Sequence, residues 1–256
     1  MSVPSAPLPY DPIDHVRTDG QALLAIVADH DLAVEVPSCP GWNLGELAWH
    51  VGGVWNTWGR VVAEQVTSVD TLRGWEQPER PADTLLLDWV TSAHTALLSA
   101  LSRATPEQEV WTWTGSNQDV HWVRRRMAQE TAVHRWDAAH AVGVPHDLAT
   151  PLATDGIEEF LTWFAGRGVA EGTPALGGTV HLHCTDDQLP AHSGEWLVTA
   201  LDASGVTFLR EHAKGDVAVR GRASDLLLWL WGRDAGPVEM FGDADLAETF
   251  RRYGRR

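Results

Sequence analysis

The sequence has few cysteines and few basic residues, and both shortages limit what the protein can be. Its 256 residues include only Cys39 and Cys184, which are too few for a disulfide framework and lack zinc-ribbon spacing. Lys214 is the only lysine. Lysine and arginine together number 19 against 35 aspartates and glutamates, so the formal net charge is −16. Because a phosphate-binding surface needs concentrated positive charge, this balance argues against a nucleic-acid partner.

Long apolar runs and the common phosphate and nucleophile motifs are also missing. No stretch of about 18 apolar residues is present to span a membrane, and the first residues lack the charged and apolar regions of a signal peptide. We therefore expect a cytoplasmic protein with no membrane partner. The sequence contains no Gly-x-Gly-x-x-Gly, no P-loop and no Gly-x-Ser-x-Gly. The sequence therefore lacks the motifs that are typical of phosphate-binding loops and of serine hydrolases.

The first half of the chain carries apolar residues at helical spacing. Asp11 and Asn43 are good N-caps, and Glu46, three residues after Asn43, completes a capping box. Asp83 is a further candidate cap, and Gly143 is a candidate C-terminal stop. Four long helices joined by loops are typical of a bundle. The predicted helices cover residues 12–30, 43–65, 83–101 and 121–142.

The second half changes to the alternation that is typical of strands. The predicted strands are 179–185, 194–201, 206–209, 216–221 and 238–241. A fifth helix is predicted over 155–167, another is capped by Ser224, and a last one begins near Asp243. Strands grouped before helices indicate an α+β domain with an antiparallel sheet. The predicted domains are therefore the helical bundle, residues 1–150, and the α+β domain, residues 151–256.

Two polar residues interrupt the apolar face of the fourth predicted helix. Glu130 and His134 lie four residues apart, so both project from one side of that helix. Such a pair is costly in an apolar stripe unless it is bound, and His50 interrupts another predicted helix in the same way. The three side chains would offer a divalent metal two imidazoles and a carboxylate and leave coordination positions open. The structural alternative is a simple hydrogen bond between Glu130 and His134.

Other candidate ligands have plainer interpretations. His181 and His183 share one face of a predicted strand, and we interpret them as a polar face that points to water or to a domain interface. Cys39 precedes Pro-Gly-Trp42, and we interpret it as a small buried residue at the base of a turn. No cationic neighbour or helix N-terminus is evident that would make it a thiolate.

Several longer segments resemble one protein family. In the first half they are Cys39-Pro-Gly-Trp42, Leu47-Ala-Trp-His50 and Glu130-Thr-Ala-Val-His-Arg-Trp-Asp-Ala138. In the second half they are His181-Leu-His-Cys-Thr-Asp186, Gly194-Glu-Trp196 and the segment from Lys214 to Leu227. With these segments the chain resembles the mycothiol-dependent maleylpyruvate isomerase family, a branch of the DinB-like metalloproteins, over nearly its whole length.

The resemblance implies a DinB-like helical bundle followed by a domain similar to sterol carrier proteins. It implies a divalent metal, zinc or a similar ion, on His50, Glu130 and His134, with mycothiol as the thiol cosubstrate. A metal-activated thiolate would then isomerise a small electrophilic substrate or transfer the thiol to it. The alternative is a non-catalytic metal-binding or small-ligand-binding module on the same scaffold. We expect a monomer or a homodimer.

Two neighbours of the predicted ligands have roles that the sequence leaves open. Arg126 lies one turn before Glu130 on about the same face, so it is a candidate catalytic residue that binds a substrate carboxylate. It is otherwise a solvated or structural arginine. Asp137 follows His134 by three residues and either orients that ligand or joins helices through Arg135 or a backbone group.

Overall fold

The protein, described here by a computed structural model, consists of two compact units, Met1–His146 and Asp147–Arg256. The structure describes residues 7–144, 146–166, 174–190, 193–201 and 205–254. The first unit is helical and the second combines five strands with helices, so the predicted α+β class is confirmed. Among these residues, no helix is both long and apolar enough to span a membrane.

Four long helices form the first unit, as the sequence predicts. They are α1 (Pro12–Asp29), α2 (Leu44–Ala63), α4 (Asp83–Arg103) and α5 (Val120–Ala141), and the short α3 (Val69–Arg73) follows α2 in the chain. Helix α1 packs against α4 and α5, and α2 packs against the same two helices. The bundle therefore sets α2 beside α5, the two helices that carry the predicted metal ligands.

Local hydrogen bonds fix the helix boundaries. The Glu46 amide donates to the Asn43 side chain over 2.9 Å and the Asn43 amide donates to the Glu46 carboxylate over 2.8 Å, which confirms the predicted capping box. The prediction that Asp83 caps α4 is wrong. Asp83 is already the first helical residue, and its carboxylate accepts a hydrogen bond from Arg80. Gly143 follows α5 with a φ of 72°, the left-handed conformation that ends many helices.

A buried carboxylate ties α1 to α5. Asp19 accepts hydrogen bonds from His15 over 3.1 Å and from Arg135 over 2.5 Å. Burial alone would raise the pKa of Asp19, but these hydrogen bonds and the charge of Arg135 outweigh it and hold the pKa below its ordinary value. Asp19 is therefore ionised and paired in the folded protein at neutral pH.

The bundle core also contains close contacts that depend on residue size. The indole N–H of Trp55 on α2 donates to the hydroxyl of Thr131 on α5 over 3.0 Å, and both side chains are fully buried. On α1, Gly20 faces the ring of His94, which donates to a backbone carbonyl of α1. A Cβ atom at Gly20 would lie 2.2 Å from His94 Nε2. Glycine is therefore required where α1 and α4 meet.

The helices of the second unit begin with α6 (Thr150–Glu159), which continues as a π-helical segment, Phe160–Ala165. This covers the described part of the fifth helix predicted over 155–167, and residue 167 itself lies outside the described residues. Ser224 does not cap its helix as predicted, because it lies inside α7 (Ala223–Leu230). Its hydroxyl accepts a hydrogen bond from the Leu148 amide instead, over 3.0 Å.

The five strands form one sheet in the order β3-β2-β1-β4-β5. Their bounds are β1 (Val180–Cys184), β2 (Glu195–Ala200), β3 (Val206–Leu209), β4 (Val217–Gly221) and β5 (Glu239–Gly242), and α8 (Ala244–Arg251) ends the fold. The sheet is mixed, which corrects the expectation of a purely antiparallel one. Strands β1 and β4 are parallel, because the chain returns after β3 to the end of the sheet where β1 begins.

The two faces of the sheet differ in polarity. Val180, Leu182 and Val198 are fully buried on one face, and α7 and α8 pack against β1 and β4. His181 and His183 lie on the other face. Of the two expected surroundings, water or a domain interface, water does not fit His181, whose side chain is only 7% exposed.

Candidate metal centre

The structure brings the three predicted ligands together inside the bundle. His50 comes from the second turn of α2, whereas Glu130 and His134 come from consecutive turns of α5. Glu130 Oε1 lies 3.2 Å from His50 Nε2 and 3.3 Å from His134 Nε2. The rings of His50 and His134 meet edge to face with centroids 5.0 Å apart. Two imidazole nitrogens and one carboxylate oxygen therefore converge on one point.

This donor set fits a divalent metal ion. In a tetrahedral zinc site with ligand distances of 2.0–2.1 Å, neighbouring ligand atoms are separated by about 3.4 Å, close to the separations seen here. All three ligand atoms lie within 4.8 Å of one another. Two histidines and one carboxylate provide three ligands, which leave room for a further ligand from outside the protein.

Asp137 fixes the orientation of His134. The His134 Nδ1–H donates to Asp137 Oδ2 over 2.8 Å, and the Asp137 side chain is fully buried. With one proton held on Nδ1, Nε2 is the nitrogen that faces Glu130, and its lone pair becomes available to a metal once its own proton is lost. Of the roles that the sequence leaves open for Asp137, this hydrogen bond supports orientation of His134.

Cys39 lies closer to the site than the sequence indicates. Its thiol donates to Asp137 Oδ2 over 3.5 Å, so it shares that carboxylate with His134. Cys39, His134 and Asp137 form a second group with ligand atoms within 4.8 Å of one another. The sequence does not predict this contact, because Cys39 and Asp137 are 98 positions apart and no local pattern links them. The one sequence feature that marks Cys39 is the Cys-Pro-Gly-Trp segment in which it lies.

Arg126 contacts the candidate metal centre through Glu130. Its guanidinium donates to Glu130 Oε2 over 2.6 Å, and its side chain is 8% exposed. Oε2 is the oxygen that does not face the two histidines, so the ion pair leaves Oε1 directed at them. This contact favours a structural role for Arg126, the alternative to a substrate-binding one.

Electrostatic coupling keeps the pair on α5 charged. Burial alone would raise the pKa of Glu130, but the charge of His134 and the hydrogen bonds with His134 and His50 hold it well below its ordinary value. Burial would lower the pKa of His134, but the Glu130 charge and the hydrogen bond to Asp137 raise it well above its ordinary value. Glu130 is therefore ionised at neutral pH, and a metal ion would have to compete with a proton for His134.

Trp42 covers one side of the two histidines. Its ring centroid lies 4.8 Å from that of His50 and 6.4 Å from that of His134. The loop that carries Trp42 is closed by an antiparallel bridge between Glu35 and Asn43 directly before α2. The indole therefore forms an apolar wall next to the ligand atoms.

Comparison with known families accounts for both units. The family model of the mycothiol maleylpyruvate isomerase N-terminal domain matches residues 13–139, and the model of the corresponding C-terminal domain (MDMPI) matches residues 151–249. The chain belongs to the mycothiol-dependent maleylpyruvate isomerase family. The resemblance drawn from the sequence is thus confirmed. A search of curated proteins gave no match.

Solved structures of a mycothiol-dependent maleylpyruvate isomerase share the fold of this family member. One crystal structure matches with a TM-score of 0.56 at 15% sequence identity and covers 90% of this chain and 91% of that chain. A second, of a histidine-to-alanine mutant, matches with a TM-score of 0.56 at 14% identity over the same shares. The similarity therefore extends over both units.

Proposed function

We propose that the protein is a metal-dependent enzyme that uses mycothiol as cosubstrate and acts on a small electrophilic molecule. The reaction class is isomerisation of an activated double bond or transfer of the thiol. The convergence of two imidazole nitrogens on one carboxylate oxygen, with His50 and His134 both near 3.2 Å from Glu130, carries this proposal. Membership of the family supplies the thiol.

His50, Glu130 and His134 would hold the metal, zinc or a similar divalent ion. The bound ion would act as a Lewis acid that lowers the pKa of a coordinating thiol, so that the mycothiol sulfur is a thiolate at neutral pH. Three protein ligands leave a position for that sulfur. The remaining task of the protein is to keep the three donors in place and the site dry.

The neighbouring residues perform that task. Asp137 holds the proton of His134 on Nδ1, and Arg126 binds the outer oxygen of Glu130, so each ligand on α5 has a fixed orientation. Trp42 shields the two imidazoles from water on one side. We assign Arg126 to positioning of Glu130, because the N–H group that it donates to Glu130 is not available to a substrate carboxylate.

A thiolate accounts for both reaction classes. In isomerisation, sulfur bonds to one alkene carbon while the π electrons move onto a conjugated carbonyl. The former double bond then rotates, the C–S bond breaks, and the alkene re-forms with the thiol released unchanged. In transfer, sulfur adds once or displaces a leaving group, and the C–S bond is retained. Both classes require an electrophilic carbon and a water-poor pocket.

The experiment is a thiol and metal comparison on the purified protein. Metal-loaded protein is assayed with mycothiol, with glutathione and with no thiol, using maleylpyruvate and a panel of other electrophiles. We expect turnover only with mycothiol, and complete loss with a chelator. His134→Ala should lose activity and the metal ion of the bundle site, which is one ion per chain. His140→Ala, on the exposed side of the same helix, is the matched control and should keep both.

The outcomes separate the alternatives. Equal turnover without any thiol would refute the proposal and leave a metal-dependent hydrolase or lyase on this scaffold. Metal binding without turnover of any electrophile would favour the non-catalytic module. If maleylpyruvate were the only electrophile that failed to react, it would be excluded as the substrate, and the proposal of thiol chemistry would stand.

A further inference from the structure

A second cluster of metal-binding side chains lies in the α+β unit. His181 and His183 project from the same face of β1, and Glu195 on β2 pairs in register with His183. His212, which follows β3, completes the group. Glu195 Oε2 lies 3.0 Å from His181 Nε2, 3.3 Å from His183 Nδ1 and 2.5 Å from His212 Nδ1.

Hydrogen bonding alone accounts poorly for this convergence. A carboxylate oxygen has two lone pairs, yet three imidazole nitrogens approach the same oxygen of Glu195. The three rings meet edge to face, with centroids 5.3 to 5.9 Å apart, so that none of them turns away from the others. One ligand atom from each residue lies within 4.8 Å of all the others. A cation among them would bind one nitrogen of each ring together with the Glu195 oxygen, around which the three nitrogens otherwise crowd.

The backbone holds most of this cluster in place. Residues two apart on a strand share a face, and the antiparallel register sets Glu195 opposite His183. His181 and Glu195 are largely buried, whereas the His212 side chain is 70% exposed. Three donors therefore stand on paired strands, and the fourth comes from a segment that is accessible to solvent.

We propose that His181, His183, Glu195 and His212 form a second metal site, which binds a divalent transition-metal ion such as zinc. Imidazole ligands suit zinc, copper and nickel, and one carboxylate adds a charge that favours a dication. Four protein ligands complete a tetrahedron, which is the arrangement of structural zinc sites. This site therefore stabilises the sheet, and its existence does not depend on the function proposed for the bundle.

The test measures zinc stoichiometry in the full chain by equilibrium dialysis and elemental analysis. We expect two zinc ions per wild-type chain. One should remain in His134→Ala, which removes the bundle site, and one in the double variant His181→Ala, His183→Ala. Combining all three substitutions should leave none. His30→Ala, which removes an exposed histidine from the other unit, is the matched control and should keep both ions.

A milder variant guards against loss of the fold. His212→Ala removes an exposed ligand, so it should fold as wild type and bind the second ion at least ~10-fold more weakly. In the His134→Ala background, cobalt should give the intense visible absorption of a tetrahedral site, and His212→Ala should change that spectrum. No zinc in His134→Ala, or zinc binding in that background unaffected by the loss of His181, His183 or His212, would overturn the inference. Two ions that both persist in His134→Ala would count against the bundle site instead.

Discussion

Replacing Asp137 with asparagine should weaken metal binding at the bundle site without unfolding the protein. The carboxylate is fully buried and accepts the Nδ1–H of His134 over 2.8 Å, which keeps the lone pair of that ring on Nε2. Asparagine has nearly the same shape but lacks the charge, and its amide can turn an N–H toward Nδ1. The imidazole proton would then lie on Nε2, the atom proposed to bind the metal.

The expected loss follows from the role of such partners in metal sites. Removal of a group that orients a histidine ligand typically costs ~10- to 100-fold in metal affinity, or about 1.4–2.8 kcal/mol. The assay is a competition titration of zinc between the protein and a chromophoric chelator at constant pH. Thermal unfolding of the metal-free proteins, followed in parallel, reports on the fold.

Asp19→Asn is the matched control, because Asp19 is a second buried carboxylate of the bundle that pairs with His15 and Arg135. It should lower stability and leave the zinc affinity of the bundle site close to that of wild type. Wild-type zinc affinity in Asp137→Asn would show that Asp137 does not orient His134. An equal loss of affinity in both variants would show that general loosening of the bundle is the cause.

Three further predictions concern the bundle itself. Hydrogen bonds hold the folded-state pKa of Asp19 below its ordinary value of 3.8. The stability that ionised Asp19 contributes should therefore be complete above pH 3.8 and be lost as the pH falls through the folded-state pKa. Urea titrations at a series of pH values should show this loss in wild type and not in Asp19→Asn. Gly20→Ala should destabilise by about 1–3 kcal/mol, since the new methyl group meets His94; an unchanged unfolding midpoint would contradict the close approach. Thr131→Val should cost about 1–3 kcal/mol by leaving the Trp55 indole N–H unpaired, and urea unfolding of Thr131→Ser, which keeps the hydroxyl, should show a smaller loss.

The sequence can single out the three candidate ligands of the bundle because their pattern is local. Glu130 and His134 are one helical turn apart, and His50 breaks an apolar stripe on a helix whose capping box is visible in the sequence. The structure brings these side chains together because α2 and α5 are neighbours in the bundle. The fold class and most element bounds follow from the same periodicity.

Features that depend on distant residues could not be predicted in this way. Cys39 reaches Asp137 only through packing of the loop before α2 against α5. His212 joins His181 on a face that alternation alone assigns to solvent. The parallel pairing of β1 with β4 depends on the route that the chain takes after β3, and strand alternation carries no information about that route.

The position of that parallel pair has a consequence for how the second unit folds. Strands β1, β2 and β3 form an antiparallel meander of neighbouring segments, so their pairing closes only short loops. Strand β4 pairs with β1 only after the whole meander has been looped out, which costs more chain entropy and slows the search. We therefore expect the meander to form early and β4, α7 and β5 to dock onto it late. Substitutions in β4 that destabilise the second unit should then raise its unfolding rate more than they lower its folding rate.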